Sequence, residues 1–413
     1  MGNWQKVLGP GILFASTAIG VSHLVQSTQA GANFGFTLLW AIVIANVLKF
    51  PFFEFASRYA NVKNESILHA YWDLNKFWLY AYLAITFISM FFVSGAVGIV
   101  TYGFMENLLG LNELTGIKHF TLFLLFFVTT AILWIGRFST LNKLIKFLGI
   151  VLLFTTCIAF VVALVKGKQG HLDLLPTIST EAIAFILPLM GWMPTAVDLS
   201  VWNSIWTVER IKESGYRPSL KETLREFNFG YWISAILAVM FLTMGALMVY
   251  GTEATVPGKP ADFSAFVIGI YTKTVGEWTY YILSSAAFSI MFSTFITVLD
   301  GYSRAISNAM SLISVKVLSP NKMYRNTLLL TSIGSLLLIL SFLGDAQGLR
   351  TIVNTATIIS FLIAPIIALL NFTVITSKNI PEEAQPGTFM KILSYLGLVY
   401  LFGFSLFYVI SLF

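Results

Sequence analysis

Residues 184–206 read AFILPLMGWMPTAVDLSVWNSIW, long and apolar enough to cross a bilayer as one helix, yet Pro188, Gly191 and Pro194 sit in the middle. A spanning helix needs roughly 20 mostly apolar residues. Proline supplies no backbone N–H and its ring clashes with the preceding turn, so a break is expected near Leu189 to Thr195. Hydrocarbon offers nothing to replace the hydrogen bonds lost there. Irregular backbone at membrane depth is tolerated only where it is buried in protein or lines a cavity, which makes this break a candidate binding site. Met190, Met193, Thr195 and, one turn beyond Pro194, Asp198 are the ligand-capable groups around it.

A second stretch answers the first. Leu8 to Gln29, LGPGILFASTAIGVSHLVQSTQ, is also apolar over a membrane length, with Gly20, Ser22 and His23 at its centre. Two interrupted segments in corresponding places of two halves point to the substrate site of an inverted-repeat secondary transporter.

The rest of the chain fits a membrane protein. Only 11% of its 413 residues are charged, against about 25% in soluble domains. Apolar runs place spans near 7–29, 36–57, 78–103, 119–136, 145–165, 183–206, 229–250, 278–299, 327–343, 352–376 and 390–412, and the eighth can run on past Asp300. With the N-terminus inside, eighteen of the 25 lysines and arginines fall in inner loops and six in outer ones, with Lys49 inside the second span. The positive-inside rule then places the N-terminus in the cytoplasm and the C-terminus outside, in a plasma or inner membrane. The net charge of +6 is accounted for by this loop bias, and no nucleic-acid partner is implied. The expected partners are the lipid bilayer and a small ion or solute; the oligomeric state is open, a monomer being compatible.

The apolar character of the first segment continues to Val25, so it reads as a retained span and not as a removed signal peptide. Cys157, the single cysteine, sits in an apolar run and reads as a small buried hydrophobe. Thr207 to Asn228 mixes acids and bases at helical spacing, which predicts an interfacial helix with a solvated face. No glycine-rich phosphate loop, zinc spacing or nucleophile elbow is present, so an enzyme is disfavoured and no cofactor is expected. Counting spans, the first break opens a five-helix unit (7–165) and the second opens another (183–376), leaving 390–412 as an extra helix. An odd number of spans inverts the second unit relative to the first.

Gly9-Pro10-Gly11, then Ala30-Gly31-Ala32-Asn33-Phe34-Gly35-Phe36 and Leu38-Leu39-Trp40, resemble the first-helix region of the natural resistance-associated macrophage protein (Nramp) family of divalent-metal transporters. Met193-Pro194 resembles the start of that family's Met-Pro-His motif in the sixth helix. The resemblance implies an all-α integral membrane protein: a LeuT-type five-plus-five inverted repeat with an eleventh helix, helices 1 and 6 being broken at mid-membrane. It also implies secondary-active symport of Mn- or Fe-like divalent cations by alternating access. The departures fall on the chemistry. Aligned without gaps from Gly9 to Trp40, the family's Asp-Pro-Gly-Asn tetrad lands on Gly20, Val21, Ser22 and His23, and the histidine after the proline lands on Thr195. The acids that the family carries in its third helix for proton handling have no counterpart, since Phe77 to Met105 contains neither Asp nor Glu.

Two cargo readings follow. In the first, which the scaffold and Met193 favour, a divalent metal is the substrate and His23, Met193 and Asp198 are its ligands, a set suited to a transition metal. In the second, a non-metal solute, amino-acid-like or otherwise organic, is held by half-helix dipoles and hydroxyls around Gly20, Ser22, His23, Met190, Gly191, Met193 and Thr195. A non-transporting sensor on the same scaffold is disfavoured, because a structural bundle has little need of broken helices. Asp198, the deepest acid, is also a candidate for coupling. Glu54 and Arg58, like Asp300 and Arg304, are four residues apart, so each pair can close on a helix face near the inner surface as a gate. Lys49, just before Pro51, is expected to snorkel or to pair with an acid. Asn354, Thr355 and Thr357 are further polar groups of the tenth span, where the resemblance places an additional ligand.

Overall fold

Within hydrocarbon every backbone polar group needs a partner inside the protein, and among the described residues the regular elements of this chain are all helices. The computed structural model describes residues 9–136, 138–168, 179–252, 256–257, 259–313, 319–345 and 347–411. Lys6, Arg137 and Lys316, three of the eighteen basic residues counted in inner loops, lie outside these residues, as do positions 7, 8 and 412 at the ends of two expected spans.

The first span is α1 (Pro10–Ala18), a π-helical segment (Val21–Ser27) and α2 (Thr28–Phe34). Spans two to five follow as α3 (Leu39–Lys63), α5 (Lys76–Leu109), α7 (Phe120–Ile135) and α8 (Phe138–Lys166). Short helices α4 (Ile67–Leu74) and α6 (Leu111–Thr115) lie between them. The sixth span is α9 (Thr180–Gly191) and α10 (Leu199–Ser214). The second half continues with α11 (Leu220–Met248), α12 (Pro260–Val275), α13 (Tyr280–Ile313), α14 (Pro320–Phe342), α15 (Gly348–Ile375) and α16 (Thr388–Ser411). Each expected span is thus helical, and the first and sixth are each broken near their middle.

Two differences have local causes. Thr207 to Asn228 does not form a separate interfacial helix. Instead α10 runs on to Ser214, Gly215 turns the chain at φ 61°, and α11 starts at Leu220. That start is fixed by a capping box, in which the Ser219 side chain accepts from Glu222 N and the Glu222 carboxylate accepts from Ser219 N. The charges of this stretch therefore ride on the ends of two spanning helices. Helix α12 is the second difference. It packs on α5 where Gly103 leaves room: a Cβ at Gly103 would stand 2.4 Å from Pro260 O.

The first span is strapped along α11. At its start the Glu226 carboxylate accepts from Gly9 N (3.0 Å) and Gly11 N (2.9 Å), serving the orphan donors of a helix N-terminus on either side of Pro10. Beyond the break, backbones meet with nothing between them. A Cβ at Gly31 would lie 1.9 Å from Leu242 O, and one at Gly245 would lie 2.3 Å from Thr28 O. Small residues permit such close approach of helices in lipid, where dispersion contacts carry much of the association. Gly245→Ala should therefore lower stability by about 1–3 kcal/mol through overpacking, whereas Gly403→Ala, with open space around it, should change little. Thermal unfolding of the two variants side by side checks this.

Candidate functional site

At the second break Pro194 cannot donate to the Met190 carbonyl four residues earlier. The turn keeps a bond of 3.3 Å from Met193 N to Met190 O, and the Met193–Pro194 peptide is cis. Lys49 supplies what is missing. Fully buried in α3, it donates from Nζ to Met190 O at 2.6 Å and to Gly191 O at 3.0 Å. The ring of Phe361 in α15 lies 5.7 Å from the same ammonium, within cation–π range. Gly191 itself presses on α15, where a Cβ would meet Thr357 O at 2.5 Å.

The other side of this break carries the opposite charge. Asp198 occupies the N-cap of α10 and is only 8% exposed, and the Tyr302 hydroxyl of α13 donates to its Oδ2 at 3.2 Å. A helix presents partial negative charge at its C-terminus and partial positive charge at its N-terminus. Here a lysine meets the first and an aspartate meets the second, so both dipole ends are countered by the chain's own charges.

The first break uses hydroxyls. Gly20 is non-helical (φ −145°, ψ −122°). The Thr294 hydroxyl of α13 lies 3.0 Å from Ser16 O and 3.3 Å from Ile19 O at the end of α1. Ser22 Oγ reaches Ala18 O at 2.8 Å and, across to the other break, Pro194 O at 3.2 Å. His23 turns toward α11. Its Nε2 sits 2.8 Å from Ser234 O, which can only accept, so Nε2 carries the proton. Nδ1 meets Ser22 Oγ at 2.7 Å. Both ring nitrogens are thereby engaged within the bundle. At Gly20 a Cβ would stand 2.5 Å from Thr294 Oγ1, so a side chain at this position collides with the threonine that caps the break.

Between the breaks is a cavity of about 30 Å³, more than the roughly 10–15 Å³ that a single water needs. Hydroxyls of Thr17, Ser22, Thr195 and Thr294, indoles of Trp192 and Trp202, and the aliphatic Ala18, Val21, Val93, Val97, Ala196, Leu199 and Val298 form its wall. Among the described residues the wall holds no carboxylate, imidazole or thioether. Of the residues expected at the site, Ser22 and Thr195 line the cavity. Gly20, His23, Met190, Gly191, Met193 and Asp198 belong to the breaks but not to its wall, and Met190 and Met193 are fully buried. Among the described residues no three His, Cys, Asp or Glu side chains are grouped to share a metal ion.

The two charge pairs spaced four residues apart both form. Arg58 bonds Glu54 at 2.5 and 2.9 Å and reaches Ala384 O at 3.0 Å. Arg304 Nε meets Asp300 at 2.7 Å, and Asp300 also accepts from Trp206 Nε1 and from Tyr324 OH. Thr357 bonds within its own helix, to Val353 O and Asn354 O. Sequence reasoning missed Thr294, Trp192 and Trp202. Trp192 Nε1 donates to Ser360 at 2.9 Å, and a tryptophan beside a break is a signal that could have been read. Thr294 carried none, being one hydroxyl among several in its span.

The chain matches the family model described as natural resistance-associated macrophage protein-like over residues 11–411. It is 34% identical over 408 residues to an uncharacterized protein of Pasteurella multocida (strain Pm70), covering 97% of this chain and 91% of that protein. Among solved structures it is similar to a mutant of the Eremococcus coleocola manganese transporter, with a TM-score of 0.74 at 16% identity, over 98% of this chain and 86% of that one. It is also similar to MhsT in complex with L-phenylalanine, with a TM-score of 0.60 at 13% identity, over 98% of each chain. These likenesses place the fold among LeuT-type transporters, all-helical and with broken first and sixth spans. The collision at Gly20 makes a direct prediction. Gly20→Ala should lower the Tm, corresponding to about 1–3 kcal/mol, and Gly20→Ala with Thr294→Ser, which removes the Thr294 methyl group, should recover part of the loss in the same thermal measurement.

Proposed function

The chain belongs to the natural resistance-associated macrophage protein (Nramp) family, and from that premise we propose that it is a secondary membrane transporter that carries a small uncharged organic solute through the cavity between its two helix breaks. The wall of that cavity carries the reading: hydroxyls, indoles and aliphatic groups, with no anionic or soft metal ligand among the described residues. A dication in a low-dielectric site needs nearby anions to offset its lost hydration. Among the described residues Asp198 is the one carboxylate at the breaks, and on the other side of the same break the Lys49 ammonium bonds Met190 O and Gly191 O. With both dipole ends of the second break already countered, the site has no charge left over for an ion to balance.

The fold leaves the cargo open, since its likenesses include a manganese transporter and a protein crystallised with an amino acid. The polar half of the solute would bond Ser22 and Thr195, and the indoles would cover its apolar half. The units 7–165 and 183–376 would rock as inverted repeats about this point, with the N-terminus cytoplasmic and the C-terminus outside. Glu54–Arg58 and Asp300–Arg304 would close the inner side. A divalent-metal cargo is the second reading, favoured by the family and by a buried carboxylate, Asp198, on the same break as the fully buried Met193.

Calorimetric titration of the purified protein with Mn²⁺ at neutral pH separates the two. The uncharged-solute reading expects no saturable binding up to millimolar metal; binding that disappears in Asp198→Asn would overturn it in favour of the metal. For any solute found by a thermal-shift screen, Ser22→Ala and Thr195→Val should each weaken binding about fivefold, the equivalent of one hydrogen bond of about 1 kcal/mol.

A further inference from the structure

Cargo binding leaves one feature of the second break unexplained. Pro194 opens the Met190 carbonyl, and that carbonyl converges with Gly191 O on a single point inside the protein, 5.7 Å from the face of Phe361. Two carbonyl oxygens and an aromatic face in a buried place make a site for a cation. The chain fills it with a side chain from another helix. We infer that Lys49 is a tethered cation: its ammonium occupies a cation site built by the end of α9, and this site takes up a free alkylammonium ion once the Lys49 side chain is cut back.

The geometry fits an ammonium in particular. Such a group has three donors and no acceptor; two meet the carbonyls, and the aromatic ring is within reach of the charge. The cation arrives covalently, so the negative end of α9 is neutralised without any ion from solution, and Asp198 supplies the counter-charge across the break. The inference rests on the reading of the breaks as a site for an uncharged solute, and it says why that site requires no accompanying metal at α9.

The test uses the full-length protein and n-propylammonium, which replaces the atoms that Lys49→Ala removes. Thermal unfolding of wild type, Lys49→Ala and Lys49→Met is followed against n-propylammonium chloride, with n-propanol as the neutral control. Wild type should be indifferent to both. Lys49→Ala should melt lower and recover with the logarithm of n-propylammonium concentration, as ligand linkage requires, while n-propanol does nothing. Lys49→Met, whose own chain fills the space, should melt lower and stay there. A Lys49→Ala protein as stable as wild type, or one that responds equally to ammonium and alcohol or to neither, overturns the tether. Should Lys49→Ala not accumulate, Lys49→Arg must remain closer to wild type than Lys49→Met; the reverse order also overturns it. Mn²⁺ titration of wild type runs in parallel. Saturable Mn²⁺ binding removes the uncharged-solute reading, whereas no Mn²⁺ binding together with no alkylammonium response removes the tether alone.

Discussion

Two helices that stop halfway across a membrane leave carbonyls and amides where water does not reach, and the pairing of those groups governs how the surrounding helices are arranged. An unsatisfied buried carbonyl costs about 1–3 kcal/mol. The long-range partners at the breaks come from different parts of the chain. Lys49 of α3 serves the end of α9, Thr294 of α13 serves the end of α1, and Ser22 Oγ lies 3.2 Å from Pro194 O of the other break. Asp198 sits at the start of α10 with Tyr302 as its donor. Moving any one of these helices would strand a polar group in a dry environment, so the breaks fix the packing as much as the packing supports them.

Helix α11 is the other fixed element. It holds the first span at the Glu226 carboxylate, at the Ser234 carbonyl and at the Gly31–Gly245 crossing, on both sides of the break. His23 acts as a strut in this arrangement. The imidazole that could have offered a lone pair to a metal instead joins Ser22 to Ser234. The geometry thereby gives His23 a structural task, and Thr294 fills the space beside Gly20.

Much of this was legible in the sequence, for physical reasons. Pro188, Gly191 and Pro194 in an apolar segment announce a break because proline lacks a donor, and the four-residue spacing of Glu54–Arg58 and Asp300–Arg304 is realised as ion pairs. The lone lysine of the second span was recognisable as needing acceptors, but pairing with backbone carbonyls instead of an acid depends on where α3 lies beside α9. Distances between helices are not written in local pattern. The same limit hid Thr294, whose role comes from one crossing, and it made the chemistry of the cavity wall unreadable until Val93, Val97 and Trp202 were brought beside Ser22 and Thr195. The interfacial helix expected after Thr207 failed because Gly215 and the Ser219–Glu222 capping box divide that stretch between two longer helices.

The picture that results is a transporter scaffold whose breaks are balanced by the chain's own groups, leaving a small neutral cavity between them. Its central claim is that no metal ion belongs there. The most direct measurement is a crystal structure of the protein grown with millimolar Mn²⁺, with data collected at the manganese absorption edge. The account predicts no anomalous peak between the breaks and the Lys49 ammonium bonded to Met190 O and Gly191 O. A peak at that point, with Lys49 turned away and Asp198 or Met193 in the coordination shell, would contradict it.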